Sequence, residues 1–179
     1  TDYITAVVDE SLPRKFMPQL EPKFAKRFVN IDNAIQTGFE LYFNYHFSEE
    51  FSFLSDLAYT YGQNKDLDDP LPQIVPLTGH LSLNYDKNNY WFNIKSRLVA
   101  QQDRIAVSFG ETTTPGFATF DLSAGFKPFK SLSIGGAVLN IFDTAYYEHL
   151  NFSYRNSDVN SGRIYEPGRN FTLYINYNF

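Results

Sequence analysis

Apolar and polar residues alternate along most of this chain with a period of two. That spacing sets successive side chains on opposite faces of a β-strand. Segment 33–47 places Ile35, Phe39, Leu41, Phe43, Tyr45 and Phe47 on one face, and Gln36, Glu40, Asn44 and His46 on the other. Segment 51–61 sets Phe51, Phe53, Leu57, Tyr59 and Tyr61 against Ser52, Asp56 and Thr60. Segment 77–85 sets Leu77, Leu81, Leu83 and Tyr85 against Thr78, His80, Ser82 and Asn84. Segment 90–101 sets Tyr90, Phe92, Ile94, Leu98 and Ala100 against Asn93, Lys95, Arg97 and Gln101. Segment 117–126 carries Phe120, Leu122, Ala124 and Phe126 opposite Thr119, Asp121 and Ser123, and in 132–140 glycines blur the row of Leu132, Ile134 and Val138. The cleanest run is 169–179, where Phe171, Leu173, Ile175, Tyr177 and Phe179 alternate with Thr172, Tyr174, Asn176 and Asn178. With a short segment at 1–9 of ambiguous facing, this predicts an all-β chain of about eight antiparallel strands and no convincing helix.

The charges say what each face meets. Across the seven segments from 33–47 to 169–179 the apolar rows named hold no Asp, Glu, Lys or Arg, while the opposite rows hold Glu40, Asp56, Lys95, Arg97 and Asp121. A charge facing lipid near the bilayer midplane costs roughly 2–4 kcal/mol, so a charge-free row suits the outside of a transmembrane barrel. A soluble sandwich also alternates and is the plainer alternative. Connection lengths argue against it. Short turns at 48–50, 86–89 and 127–131 alternate with long connections at 10–32, 62–76, 102–116 and 141–168. Outer-membrane barrels sort turns in this way, short on the periplasmic side and long outside. A sandwich has no reason to.

Composition sharpens the picture. The 179 residues include 18 Phe and 13 Tyr, yet mean hydropathy is −0.34. Strands with one apolar and one polar face combine these properties. No apolar run is long enough for a membrane helix, which says nothing against a barrel, whose strands cross in about 9–11 residues. A net charge of −5 argues against nucleic-acid binding, and the absence of cysteine excludes disulfides. His46, His80 and His149 are scattered, and no nucleophile triad, phosphate loop or metal-ligand cluster is visible. No catalytic residue, cofactor or metal site is therefore expected, and the facing charges read as wall charges in water. Thr1 opens a strand-like segment with no secretory signal before it, so the chain is expected to begin inside a larger protein.

Several motifs carry a resemblance. Residues 136–151 (GAVLNIFDTAYYEHLN) resemble the penultimate strand and last loop of TonB-dependent outer-membrane receptors, which commonly read G-V-x-N-L-F-D-x-x-Y. Residues 166–171 (EPGRNF) resemble that family's P-G-R entry to the final strand. Residues 33–40 (NAIQTGFE) and 114–122 (TPGFATFDL) are similar to two of its earlier strand starts. Asn140, Asp143, Pro167 and Gly168 within these motifs read as fold residues, since Asn and Asp favour turns. Residues 69–77 (DPLPQIVPL) with 147–151 (YEHLN) are similar to a subgroup that includes copper and siderophore receptors.

The resemblance implies a 22-stranded barrel in the bacterial outer membrane, closed by a plug through which TonB acts. Residues 1–179 would be the last part of that barrel, with the plug and earlier strands missing. It implies uptake of a metal complex (iron siderophore, haem or copper), with lipid and lipopolysaccharide around the wall. Candidate substrate contacts in the last long connection are Tyr146, Tyr147, His149, Arg155 and Arg163. The terminal run Phe171, Leu173, Ile175, Tyr177 and Phe179 resembles the signal read by the barrel-assembly machinery. A different class of reading is a self-contained eight-stranded barrel with a structural or lipid-modifying role.

Overall fold

A computed structural model of the protein describes residues 3–13, 25–151 and 162–178. Its strands are β1 (Tyr3–Val8), β2 (Lys26–Ile31), β3 (Ala34–His46), β4 (Phe51–Asn64), β5 (Asp69–Pro70), β6 (Thr78–Lys87), β7 (Tyr90–Val99), β8 (Phe117–Phe129), β9 (Leu132–Leu139) and β10 (Asn170–Tyr177). Seven of them form one antiparallel meander in the order β10-β9-β8-β7-β6-β4-β3, and β5 adds two residues beside β4. The sheet is open among the described residues, because β3 and β10 have one neighbour each. It does not close on itself as a self-contained eight-stranded barrel would.

Register carries the alternation across the whole sheet. Tyr45, Phe53, Leu83, Ile94, Leu122, Val138 and Phe171 stand opposite one another from strand to strand, forming one apolar rung. On the other face Asp56, His80, Arg97 and Thr119 form a polar rung. A slip of one residue at any pairing would exchange the two faces, so the pattern fixes the register. The apolar row carries a single charge among the described residues of these strands, Lys87. It sits on the last rung beside a short turn and reaches Glu50 at 3.7 Å. A long cationic side chain at that height can lay its stem on the apolar surface and keep its head in water.

The short turns follow from local chemistry. Lys87 and Tyr90 pair across a two-residue turn, and Asn88 takes φ 50°, a left-handed conformation that Asn tolerates. At the end of β8 the register shifts between Phe126 and Phe129, where Pro128 has no N–H to give the ladder. On the polar face Trp91 and Tyr174 stack at 6.3 Å with ring planes 12° apart, although β7 and β10 are not neighbours. Gly125 and Gly135 lie beneath them, and a Cβ at either would run into the Trp91 or Tyr174 ring.

Two expectations are corrected. Segment 1–9 is not a strand of the main sheet. Its β1 pairs with β2, a strand lying inside what the sequence suggests is a long connection, 10–32. The alternation over Lys26–Ile31 is short and opens on two cations, which hides it. The main sheet therefore holds seven long strands and the short β5. Phe179, the last residue of the proposed assembly signal, lies outside the described residues.

The sheet has almost no core. Among the described residues the buried apolar side chains are Ile31, Leu71, Val99 and Ala106, all at the end where the long connections gather. Phe171, Leu173 and Ile175 are 73%, 75% and 63% exposed. Such a row in water would be an aggregation surface; against lipid it is at home.

Candidate functional site

All the long connections meet at one end of the sheet, together with the β1–β2 hairpin. The connection 100–116 is the hub. Gln102 and Thr114 bridge its two limbs, and Gln102 also donates to the Ile74 carbonyl at 2.8 Å. Glu111 accepts from the Gln73 amide at 2.6 Å and the Ala106 amide at 2.8 Å. Asp69 accepts from the Ser108 amide at 2.8 Å, and the Ser108 carbonyl accepts from Val8 at 2.8 Å. Arg104 donates to Gly62 and Gln63 of β4 and lies 3.9 Å over the Tyr61 ring. Lys26 of β2 sits 3.3 Å over Phe109. One connection thus touches β1, β2, β4, β5 and the segment between β5 and β6.

The last connection, 140–169, joins the same network. Its entry is locked by Asn140, whose side chain exchanges two hydrogen bonds of 2.9 Å with the Thr144 backbone and whose amide donates to Asp121 at 2.8 Å. Asn140 and Asp143 both adopt positive φ, 49° and 55°. Asp143 then reaches the exit of the connection and accepts from the Arg169 amide at 2.7 Å. Its carboxylate lies 2.5 Å from where a Cβ on Gly168 would sit, so Gly168 is needed for space. These motif residues hold the loop's two ends together, in keeping with a role in the fold.

The substrate-contact candidates divide. His149 is buried, with Nδ1 3.2 Å from Thr114 Oγ1 and Nε2 3.8 Å from Glu111. Arg163 donates to the His149 carbonyl at 2.6 Å and to Thr112 Oγ1 at 2.9 Å. Both side chains serve loop packing in this arrangement. Tyr147 packs edge-on against Tyr165 at 5.3 Å. Tyr146 is half-buried and lies on Phe117 at 4.3 Å. Arg155 lies outside the described residues. Burial resists the charge of Glu111, but the His149 ring and the amides of Ala106 and Gln73 outweigh it and hold its carboxyl below the usual range. Tyr146 is shifted the other way: burial and the nearby Glu166 and Glu148 raise its hydroxyl above the ordinary value, so it remains a proton donor.

Beneath this last connection the polar face holds a recess of about 290 Å³, bordered by His80, Lys95, Arg97, Asp121 and Tyr146. Its charges are largely matched. His80 Nδ1 is 2.7 Å from Asp56 Oδ2, Arg97 grips Glu148 of the loop with both guanidinium nitrogens, and Lys95 stands opposite Asp121. Sequence reading gives Asp56, Lys95, Arg97 and Asp121 as wall charges. It missed that Glu148 comes down from the loop to meet them, since nothing in the spacing of residues 97 and 148 announces the contact. No group of three or more His, Cys, Asp or Glu arranged to hold a metal ion occurs among the described residues.

Comparison with curated protein sequences gives no match. Residues 1–141 match the family model described as TonB dependent receptor-like, beta-barrel. The chain belongs to the TonB-dependent receptors. Among solved structures it is similar to a copper transporter, OprC, with 27% identity and a TM-score of 0.84 over 99% of this chain and 28% of that one. It also shares its fold with the ferric yersiniabactin uptake receptor FyuA from Yersinia pestis, at 18% identity and a TM-score of 0.68 over 86% of this chain and 25% of that one. The FrpB iron transporter from Neisseria meningitidis (F3-3 variant) gives 20% identity and 0.62, again over 86% and 25%. The chain thus spans about a quarter of the solved receptors it resembles. These relatives are transporters and receptors rather than enzymes, and they identify the strands as barrel strands.

Proposed function

We propose that this chain is the closing part of an outer-membrane receptor that takes up a metal complex, an iron siderophore, haem or copper, with energy supplied through TonB. On this reading the polar face lines the lumen, the apolar face meets outer-membrane lipid, and the long connections lie outside the cell. A plug would sit within the whole barrel and make the contact with TonB. The observation that carries the reading is the likeness of nearly the whole chain to a copper transporter at 27% identity. The loop cluster and the recess beneath it are consistent with capture from the long-connection end. Tyr146 and Tyr147 remain the substrate-contact candidates best placed for it, with Arg155 further along the same connection in sequence.

Uptake tests this directly. Cells carrying the full-length receptor should accumulate radiolabelled copper or a ferric siderophore, and removal of TonB should abolish that accumulation. Accumulation that persists without TonB would sink the energised-transport reading. Removing residues 150–160 should leave the barrel inserted while lowering uptake; unchanged uptake would reduce that loop to a passive cover. Phe179 is proposed to complete the assembly signal of β10, so its deletion should leave the receptor poorly inserted and degraded. Normal surface levels after the deletion would remove that role.

A further inference from the structure

Three basic side chains border the recess on the polar face: His80, Lys95 and Arg97. Two of them face carboxylates that are fixed in the wall. His80 meets Asp56 of β4 at 2.7 Å, and Lys95 stands opposite Asp121 of β8. If a dissolved anion drew either cation away, a carboxylate would be left on the wall without its counter-charge. Arg97 is different. Both of its terminal nitrogens meet the carboxylate of Glu148, which is carried by the connection 140–169 and not by a strand. Glu148 can therefore leave the wall and take its charge with it. The Arg97 guanidinium also lies 5.2 Å over the ring of Phe117, which Tyr146 covers at 4.3 Å. It keeps that support when Glu148 is gone.

We propose that Arg97 receives a free carboxylate of the transported metal complex, and that Glu148 occupies the site until that carboxylate displaces it. The inference rests on the uptake reading given above and narrows it to chelates with a carboxylate to spare beyond those holding the metal. The Arg97 and Glu148 side chains are 31% and 28% exposed, so a dissolved anion can reach the pair. The exchange is like for like, since a planar guanidinium fork accepts one two-oxygen anion in place of another. Glu148 departs on a connection whose ends are held elsewhere, by Asn140 on Thr144 and by Asp143 on the Arg169 amide. The Tyr146 hydroxyl, which keeps its proton, borders the same recess and can donate to the incoming anion without adding charge. A volume of about 290 Å³ lies at the small end of ligand pockets, room for one arm of a chelate rather than a whole one.

The probe is citrate, whose free carboxylates stand for that arm, titrated by calorimetry into the full-length receptor in detergent. Glu148→Gln removes the resident charge and should tighten citrate binding roughly fivefold, the worth of a charge-assisted pair discounted for its exposure. Glu148→Asp, one methylene short of the same grip, should tighten it less and serves if the first variant fails to fold. Arg97→Gln should abolish the binding, and Arg97→Lys, a point charge without the fork, should weaken it. Asp121→Asn removes a negative charge from the same recess without freeing Arg97, and should gain less than Glu148→Gln. Absence of citrate binding from both the unmodified receptor and the Glu148 variants overturns the proposal. So does binding that survives Arg97→Gln, or an equal gain from Asp121→Asn, which would make recess charge alone the cause. Uptake is measured separately: a metal complex that accumulates without TonB fails the uptake reading and leaves the binding result standing.

Discussion

Across the wall, Tyr45, Phe53, Leu83, Ile94, Leu122, Val138 and Phe171 state one theme on seven strands. In the loop cluster Glu111 ties Gln73, Ala106 and His149 together, an arrangement that no other described residue repeats. The wall is built from many interchangeable parts whose order is set by register. The cluster is built from single parts, each satisfied by partners distant in sequence. Damage should therefore spread differently: the wall is intolerant of the wrong kind of residue, and the cluster is intolerant of the loss of a particular one.

The largest effect should come from placing a charge in the wall. Leu83→Arg, on the central apolar rung, is expected to cost about 2–4 kcal/mol and block insertion, whereas Ser82→Arg on the polar face should insert. The fraction of protein in the outer membrane reads this, and equal insertion of the two variants would break the assignment of faces. Next comes the crowded loop exit. Gly168→Ala pushes a methyl group into the Asp143 carboxylate, an overpacking worth about 1–3 kcal/mol. Thermal unfolding in detergent should fall, and Asp143→Gly in the same chain should recover part of the loss by removing the clash and relaxing the positive φ at 143.

Glu111→Ala should leave the wall intact and loosen the cluster by roughly 1–3 kcal/mol, because the Ala106 and Gln73 amides lose their acceptor. Faster amide exchange over 101–116 with unchanged exchange in β7 is the expected signature. In the unaltered protein the same carboxyl, held below its unfolded value, contributes stability above the ordinary carboxylate pKa. That contribution is lost as pH falls through the lowered folded value, so acid should open the cluster before the wall. The smallest effect is expected at Asp66. This exposed carboxylate accepts from the amides of Asn33 and Asp32 where β2 gives way to β3, and its hydrogen bonds to Asn33 hold its pKa down. Asp66→Asn should change exchange at residues 32 and 33 and little else; a global loss of stability would mean the break is a hinge of the whole sheet.

The same contrast explains what could be read in advance. A strand announces itself within ten residues of sequence, so the seven long strands, their facing and the alternation of short and long connections were legible. So was the structural role of Asn140 and Asp143, because turn chemistry is local. β2 was missed because its alternation is short and starts with Lys26 and Arg27. The partnership of Arg97 with Glu148, and of His149 with Thr114 and Glu111, bridges 35 to 51 positions of chain with no periodicity to betray it. His149 illustrates the cost: its residue type suggested a ligand contact, and only its burial showed what it touches.

The ring pair of Trp91 and Tyr174 has a mechanical consequence. Backbone ladders tie each strand only to its immediate neighbours, so β8 and β9 can in principle slide as a unit between β7 and β10. The two rings meet over the bare backbone of Gly125 and Gly135 and join the outer pair directly. They act as a cross-brace laid over the hairpin, resisting shear that the ladder alone resists one rung at a time. Both glycines are part of the brace, since any side chain there would lift the rings apart.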